Sequence, residues 1–108
     1  MATKFTPGPW TVRRMPGEIF NVLVESESGK AIAECFVNAE AGLAEGIAET
    51  NANVRLIAAS PELYSALIKA RSFVLKHATT NGDEKAAEIA SETADLIRKI
   101  NNTPERQV

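Results

Sequence analysis

The chain has 108 residues, 44% of them apolar and 24% charged, which is material for one domain with a modest core. Its 14 acidic and 12 basic side chains leave a net charge of -2, which argues against a broad basic surface for duplex nucleic acid and leaves room only for a local basic patch. The single cysteine, Cys35, excludes an internal disulfide and a cysteine-based metal cluster within one chain and fits a reducing cytoplasm, and no apolar run approaches the roughly 20 residues a membrane helix requires.

In chain order, the opening "MATKFTPGPW" lacks the apolar stretch of a signal peptide. Within it, Pro7 and Pro9 fix φ and push Thr6 and Gly8 toward extended geometry, so "TPGPW" reads as a stiff arm that delivers Trp10 to one place. An indole there buries on the order of 200 Å², a large share of a small core. Trp10 is therefore expected as a core anchor, the alternative being that its edge lines a ligand or partner site.

Three strands follow, at about residues 10–14, 18–25 and 30–37. "WTVRR" alternates Trp10 and Val12 against Thr11 and Arg13, and "MPG" turns the chain. In "EIFNVLVES", Phe20, Val22 and Val24 share one face; in "KAIAECFV", Ile32 and Phe36 share another. "SESG" between them is a hairpin turn, which gives a three-stranded antiparallel meander.

After Asn38 the rhythm becomes helical, with helices at about 44–59, 61–78 and 83–101. Gly42 and Gly46 weaken the start of the first. "ASPEL" ends it and begins the second, with Ser60 as N-cap, Pro61 at the first helical position and Glu62 in the first turn. The second helix places Leu63, Leu67, Ala70, Val74 and His77 in one stripe, and Tyr64, Ile68 and Leu75 widen the apolar surface. Asn81-Gly82 stops it, and Asp83 caps a third helix with a stripe of Ala86, Ile89, Thr93, Leu96 and Ile100. The short loop makes these two an antiparallel helical hairpin. The class is α+β, one domain over residues 1–102, with 103–108 as a disordered tail.

No constellation for catalysis or metal binding stands out, and no cofactor or metal is expected. His77 reads as an ordinary cap-region histidine and Cys35 as a buried thiol, since a dyad of the two needs a contact the sequence does not show. "ESE" and the Glu84/Glu88 pair read as solvated charge. No phosphate loop is present, because neither Gly42 nor Gly46 leads into Lys-Ser or Lys-Thr. The candidate ligand- or partner-binding set is Trp10, Arg13 and Arg14, where guanidinium groups could clamp a phosphate beside the indole, with Asn53 and Arg55 on the first helix. Asn53 is expected to tie that helix to a sheet-edge carbonyl or to face a cleft.

The segments "TPGPW" and "ANVRLIAASPELYSAL" resemble those of small phage and prophage accessory proteins related to the Ea22-like family, in which a TPGPW segment precedes a helix similar to "ANARLIAAAPELLEAL". Asn53, Arg55, Leu56, Ile57, Ala58, Ala59, Pro61, Glu62, Leu63 and Leu67 match; Val54, Ser60, Tyr64 and Ser65 depart from the commonest residues. The resemblance implies a phage setting rather than a reaction.

The helical half carries more apolar surface than its small sheet can cover, so the expected function is a non-catalytic binding protein that oligomerises as a dimer or higher, through Leu63, Leu67, Val74, Leu96 and Ile100. Its target is expected to be a host defence or regulatory component, either a host protein or a nucleotide-like signal, with no membrane involved. A nucleic-acid-associated role in phage replication or transcription is the alternative, which the acidic balance disfavours.

Overall fold

The computed structural model describes residues 4–102. They form two compact units: Thr6–Glu62, and the chain from Leu63 onward together with Lys4 and Phe5. The tail expected at 103–108 lies outside the described residues.

In the first unit, β1 (Trp10–Arg13), β2 (Asn21–Ser26) and β3 (Ala31–Phe36) form an antiparallel sheet in the order β1-β2-β3, and α1 (Leu43–Ala58) packs on one face. The expected meander is present. β2 starts later than its apolar alternation suggests, because Gly17 at φ 81 and the bond from Glu18 N–H to the Met15 carbonyl keep the turn going before the strand begins. Ser26 and Lys30 close the β2–β3 hairpin around Gly29 at φ 86, a left-handed conformation suited to glycine.

Val24 and Val54 are fully enclosed and, with Val22, make the core, against which Trp10, Val12, Ile32, Ala33, Cys35, Ile57 and Ala58 pack. The pairing Val24 with Ala33 and then Glu25 with Ala31 leaves Ile32 as an extra residue in β3. That bulge corrects the expectation that Ile32 and Phe36 share a face: Ile32 joins the core and Phe36 is 68% exposed.

The TPGPW arm has a packing role. Gly8 sits so close to Pro61 that an added Cβ would lie 2.7 Å from the Pro61 Cβ, which joins the two sequence segments that stand out most. The Gly8–Pro9 peptide is cis. The Trp10 indole N–H donates to the Thr6 carbonyl at 3.1 Å, so the arm also fixes the ring that it delivers. Gly8→Ala is expected to destabilise this unit by about 1–3 kcal/mol through overpacking. Urea unfolding followed by Trp10 fluorescence reads the loss, and adding Pro61→Gly should make the combined cost less than the sum of the single costs. Strictly additive costs would mean that the two residues do not meet.

α2 (Ser60–Asn81) follows α1 after Ala59 alone. Ser60 does not act as the expected N-cap: its hydroxyl donates back to the Leu56 carbonyl at 3.2 Å, satisfying the end of α1 instead. α2 runs three residues past its expected end, because the stop is Gly82 at φ 63, whose N–H bonds the Ala78 carbonyl.

In the second unit, α2 packs against α3 (Glu84–Asn102) as the expected antiparallel hairpin. Asn101 Nδ2 donates to the Tyr64 hydroxyl at 2.9 Å, and Phe5 meets the Tyr64 ring edge-on with centroids 5.0 Å apart. The inward line is Tyr64, Leu67, Arg71, Val74 and Ala78 on α2, and Ala86, Ala90, Thr93, Ala94, Ile97 and Asn101 on α3. The expected stripes are thus turned aside. Alanines at 86, 90 and 94 let the helices approach, and the bulkier Ile89, Leu96 and Ile100 stay on the flank.

Candidate functional site

Side chains alternate faces along β1, so Trp10 and Val12 point to the α1 side while Thr11 and Arg13 point to the open face. Arg13 cannot join a clamp with the indole. Its Nη1 instead donates to both carboxylate oxygens of Glu25, at 3.0 and 3.2 Å. On the same open face, Asn21 Nδ2 donates to Glu34 Oε2.

Arg14 turns the other way and donates from Nη2 to Asn51 Oδ1 on α1 at 2.8 Å. Arg55 lies one helical turn beyond Asn51 and is therefore its neighbour on the helix surface. Arg14, Asn51 and Arg55 thus line one side of α1, and neither arginine forms an ion pair among the described residues. Asn53 is exposed and, two residues from Arg55, lies on a different side of the helix. The tie to a strand carbonyl is made one turn earlier by buried Thr50, whose hydroxyl donates to the Phe36 carbonyl at 3.4 Å.

Thr50 and Asn51 are the residues that sequence reasoning missed. Their signal was present, since Thr50 shares the helical face of Val54 and Asn51 precedes Arg55 by four positions. Beside the TPGPW arm, Thr6, Pro7 and Gly8 with Ser26, Glu27 and Ser28 of the hairpin turn border an open groove of about 370 Å³.

On the second unit, Asp83 caps α3: Ala86 N–H donates to its Oδ1 at 3.1 Å, and His77 Nε2 stands 3.2 Å from its Oδ2. Asn81 Nδ2 lies 2.9 Å from His77 Nδ1, so the amide donates there and Nε2–H donates to the carboxylate. The cap-region reading of His77 agrees with this geometry. The Ala86 N–H first, and then His77, hold the Asp83 carboxyl below its ordinary value of 3.8. The cap is therefore at full strength above that value and weakens as pH falls through the lowered one. Asp83→Ala should lower the thermal midpoint at pH 7 and remove part of the acid sensitivity below pH 4, followed by helical circular dichroism; an unchanged acid limb would count against the cap.

The five expected interface residues all belong to this hairpin. Leu63 is 51% exposed, Leu96 and Ile100 are 48% exposed, and Leu67 and Val74 are half-buried between the helices. No group of three or more His, Cys, Asp or Glu among the described residues could hold a metal ion. No helix among them is long and apolar enough to cross a membrane.

These features define a small α+β protein, a helix-backed three-stranded sheet followed by a helical hairpin with exposed apolar side chains. Residues 1–102 match the model of the family described as Salmonella phage P22 protein Y8K6, and the chain belongs to that phage family. The match extends through α3, beyond the TPGPW and ANVRLIAASPELYSAL segments that carry the resemblance. No curated protein and no solved structure matches the chain.

Proposed function

We propose that this phage protein is a non-catalytic accessory factor of the host cytoplasm, akin to the Ea22-like group, which oligomerises through its helical hairpin and inhibits or sequesters a host defence or regulatory component. The observation that carries the reading is the exposure of Leu63, Leu96 and Ile100 on helices whose inward sides are already packed. An apolar surface of this kind is stabilised by docking, and inhibition by occupancy requires no reacting group.

The target is a host protein or a nucleotide-like signal. Arg14 and Arg55, on one side of α1 and without carboxylate partners among the described residues, suit an anionic group; guanidinium forks bind phosphate oxygens in pairs. Arg13, held by Glu25, and Asn53, on another side of α1, do not join them.

The test is thermal stabilisation by cyclic and linear nucleotides, run beside capture of host proteins from a lysate on the immobilised chain. A shift or a captured protein that is lost with Arg14→Ala or Arg55→Ala supports the reading. Tight, steeply salt-dependent DNA binding would replace it with the nucleic-acid role, and neither shift nor capture would overturn it.

A further inference from the structure

The flank of the hairpin has a defined composition. Helices turn about 100° per residue, so on α3 Ile89, Leu96 and Ile100 fall within a narrow arc beside the inward line, and on α2 Leu63 and Ala70 occupy the corresponding flank. Because the helices are antiparallel, those two flanks lie on the same side of the hairpin. The resulting face is about 30 Å long and two helices wide, on the order of 600 Å², close to the ~800 Å² each partner contributes to a standard interface.

Charge says what covers it. α2 carries one acidic residue, Glu62, against three basic ones, Lys69, Arg71 and Lys76; α3 carries four acidic residues, Glu84, Glu88, Glu92 and Asp95, against Lys85, Arg98 and Lys99. Among the described residues Glu62, Lys69, Lys76, Glu92 and Lys99 have no ion pair. The Tyr64–Asn101 bond sets the levels of the two helices, placing Lys76 level with Ile89 and Lys69 level with Leu96.

Resting on the docking reading above, we propose that the occupant of this face is a second copy of the same chain, related by a two-fold axis parallel to the helices, so that α2 lies over the partner copy's α3 in an antiparallel four-helix bundle. In that arrangement Lys76 of one copy comes beside Glu88 and Glu92 of the other, Lys69 beside Glu92 and Asp95, and Glu62 beside Lys99. The other two-fold, which lays α2 on α2, brings lysine rows together and is disfavoured by repulsion.

Sedimentation of the full chain tests this. The wild type should sediment as a dimer, and Leu96→Glu with Ile100→Glu as a monomer of unchanged helical circular dichroism; if that variant loses helix, Leu63→Glu replaces it. The chain carrying Lys69→Glu and Lys76→Glu should dissociate at least about tenfold more readily than wild type, as should the chain carrying Glu88→Lys and Glu92→Lys, and mixing the two should restore a dimer. A monomeric wild type, or a dimer indifferent to both Leu96 and Ile100, overturns the proposal, and reversed-lysine chains that dimerise as tightly as wild type overturn the stacking of α2 on α3. Ligand capture on the same samples is read independently, so a monomer that still retains its target defeats oligomerisation and the second-copy assignment while leaving inhibition by occupancy in place.

Discussion

Gly46→Ala is expected to destabilise the first unit by about 2–3 kcal/mol, although helix propensity alone predicts a gain of about 1 kcal/mol. Gly46 is buried in α1, and an added Cβ would lie 2.2 Å from the Asn38 carbonyl oxygen, 2.9 Å from its carbon and 3.1 Å from Val37 Cγ1. That backbone cannot easily retreat. Val37 N–H is bonded to the Phe20 carbonyl at 2.8 Å, and Asn38 Oδ1 accepts from Glu40 N–H at 3.0 Å, so any withdrawal strains the end of β3. Urea unfolding followed by Trp10 fluorescence should show a lower midpoint; an equal or higher midpoint would mean that propensity outweighs the contact and that the helix does not pack so closely.

The second large effect is at Val54. It is 0% exposed, as is Val24 on β2, and the two valines join helix to sheet. Val54→Ala removes two methyl groups and should cost about 2 kcal/mol, combining lost transfer energy with a cavity term. Val54→Asp places a carboxylate where the packed neighbours are apolar, a burden of several kcal/mol that a unit this small cannot carry, so its Trp10 emission should shift to that of an unfolded chain at 25 °C. Asn53→Asp, an exposed change one residue earlier, is the control and should leave the emission where it was. A folded Val54→Asp variant would show that α1 does not seat on the sheet through this side chain.

The element order was legible because each element carries a strong local signal: alternation in "NVLVES", helical spacing around Val54, and Asn81-Gly82-Asp83 as stop and cap. The details that escaped are non-local. A bulge at Ile32 depends on how two strands pair, which period-2 counting along one strand cannot register. The weakness read at Gly46 was sound as propensity, but the contact that requires glycine comes from Asn38, on a separate segment. Ser60 matched an N-cap pattern but bonds backwards to the Leu56 carbonyl, because only Ala59 separates the helices and the end of α1 lies within its reach. At the candidate site, residue types were easier to read than directions. Arg13 and Arg14 are adjacent in sequence, so pleating sends them to opposite faces, and only Arg14 reaches α1.

The irregularity in β3 also bears on how the molecule keeps its sheet small. A sheet open on both sides offers bare amide groups to any extended peptide, and such borders are where proteins polymerise. Here one border is a strand of only four residues, Trp10–Arg13, and the other is kinked at Ile32 and bears Glu34 near its middle. A straight incoming strand would lose its bonding partners at the kink. The fold thereby discourages fibre growth along the sheet.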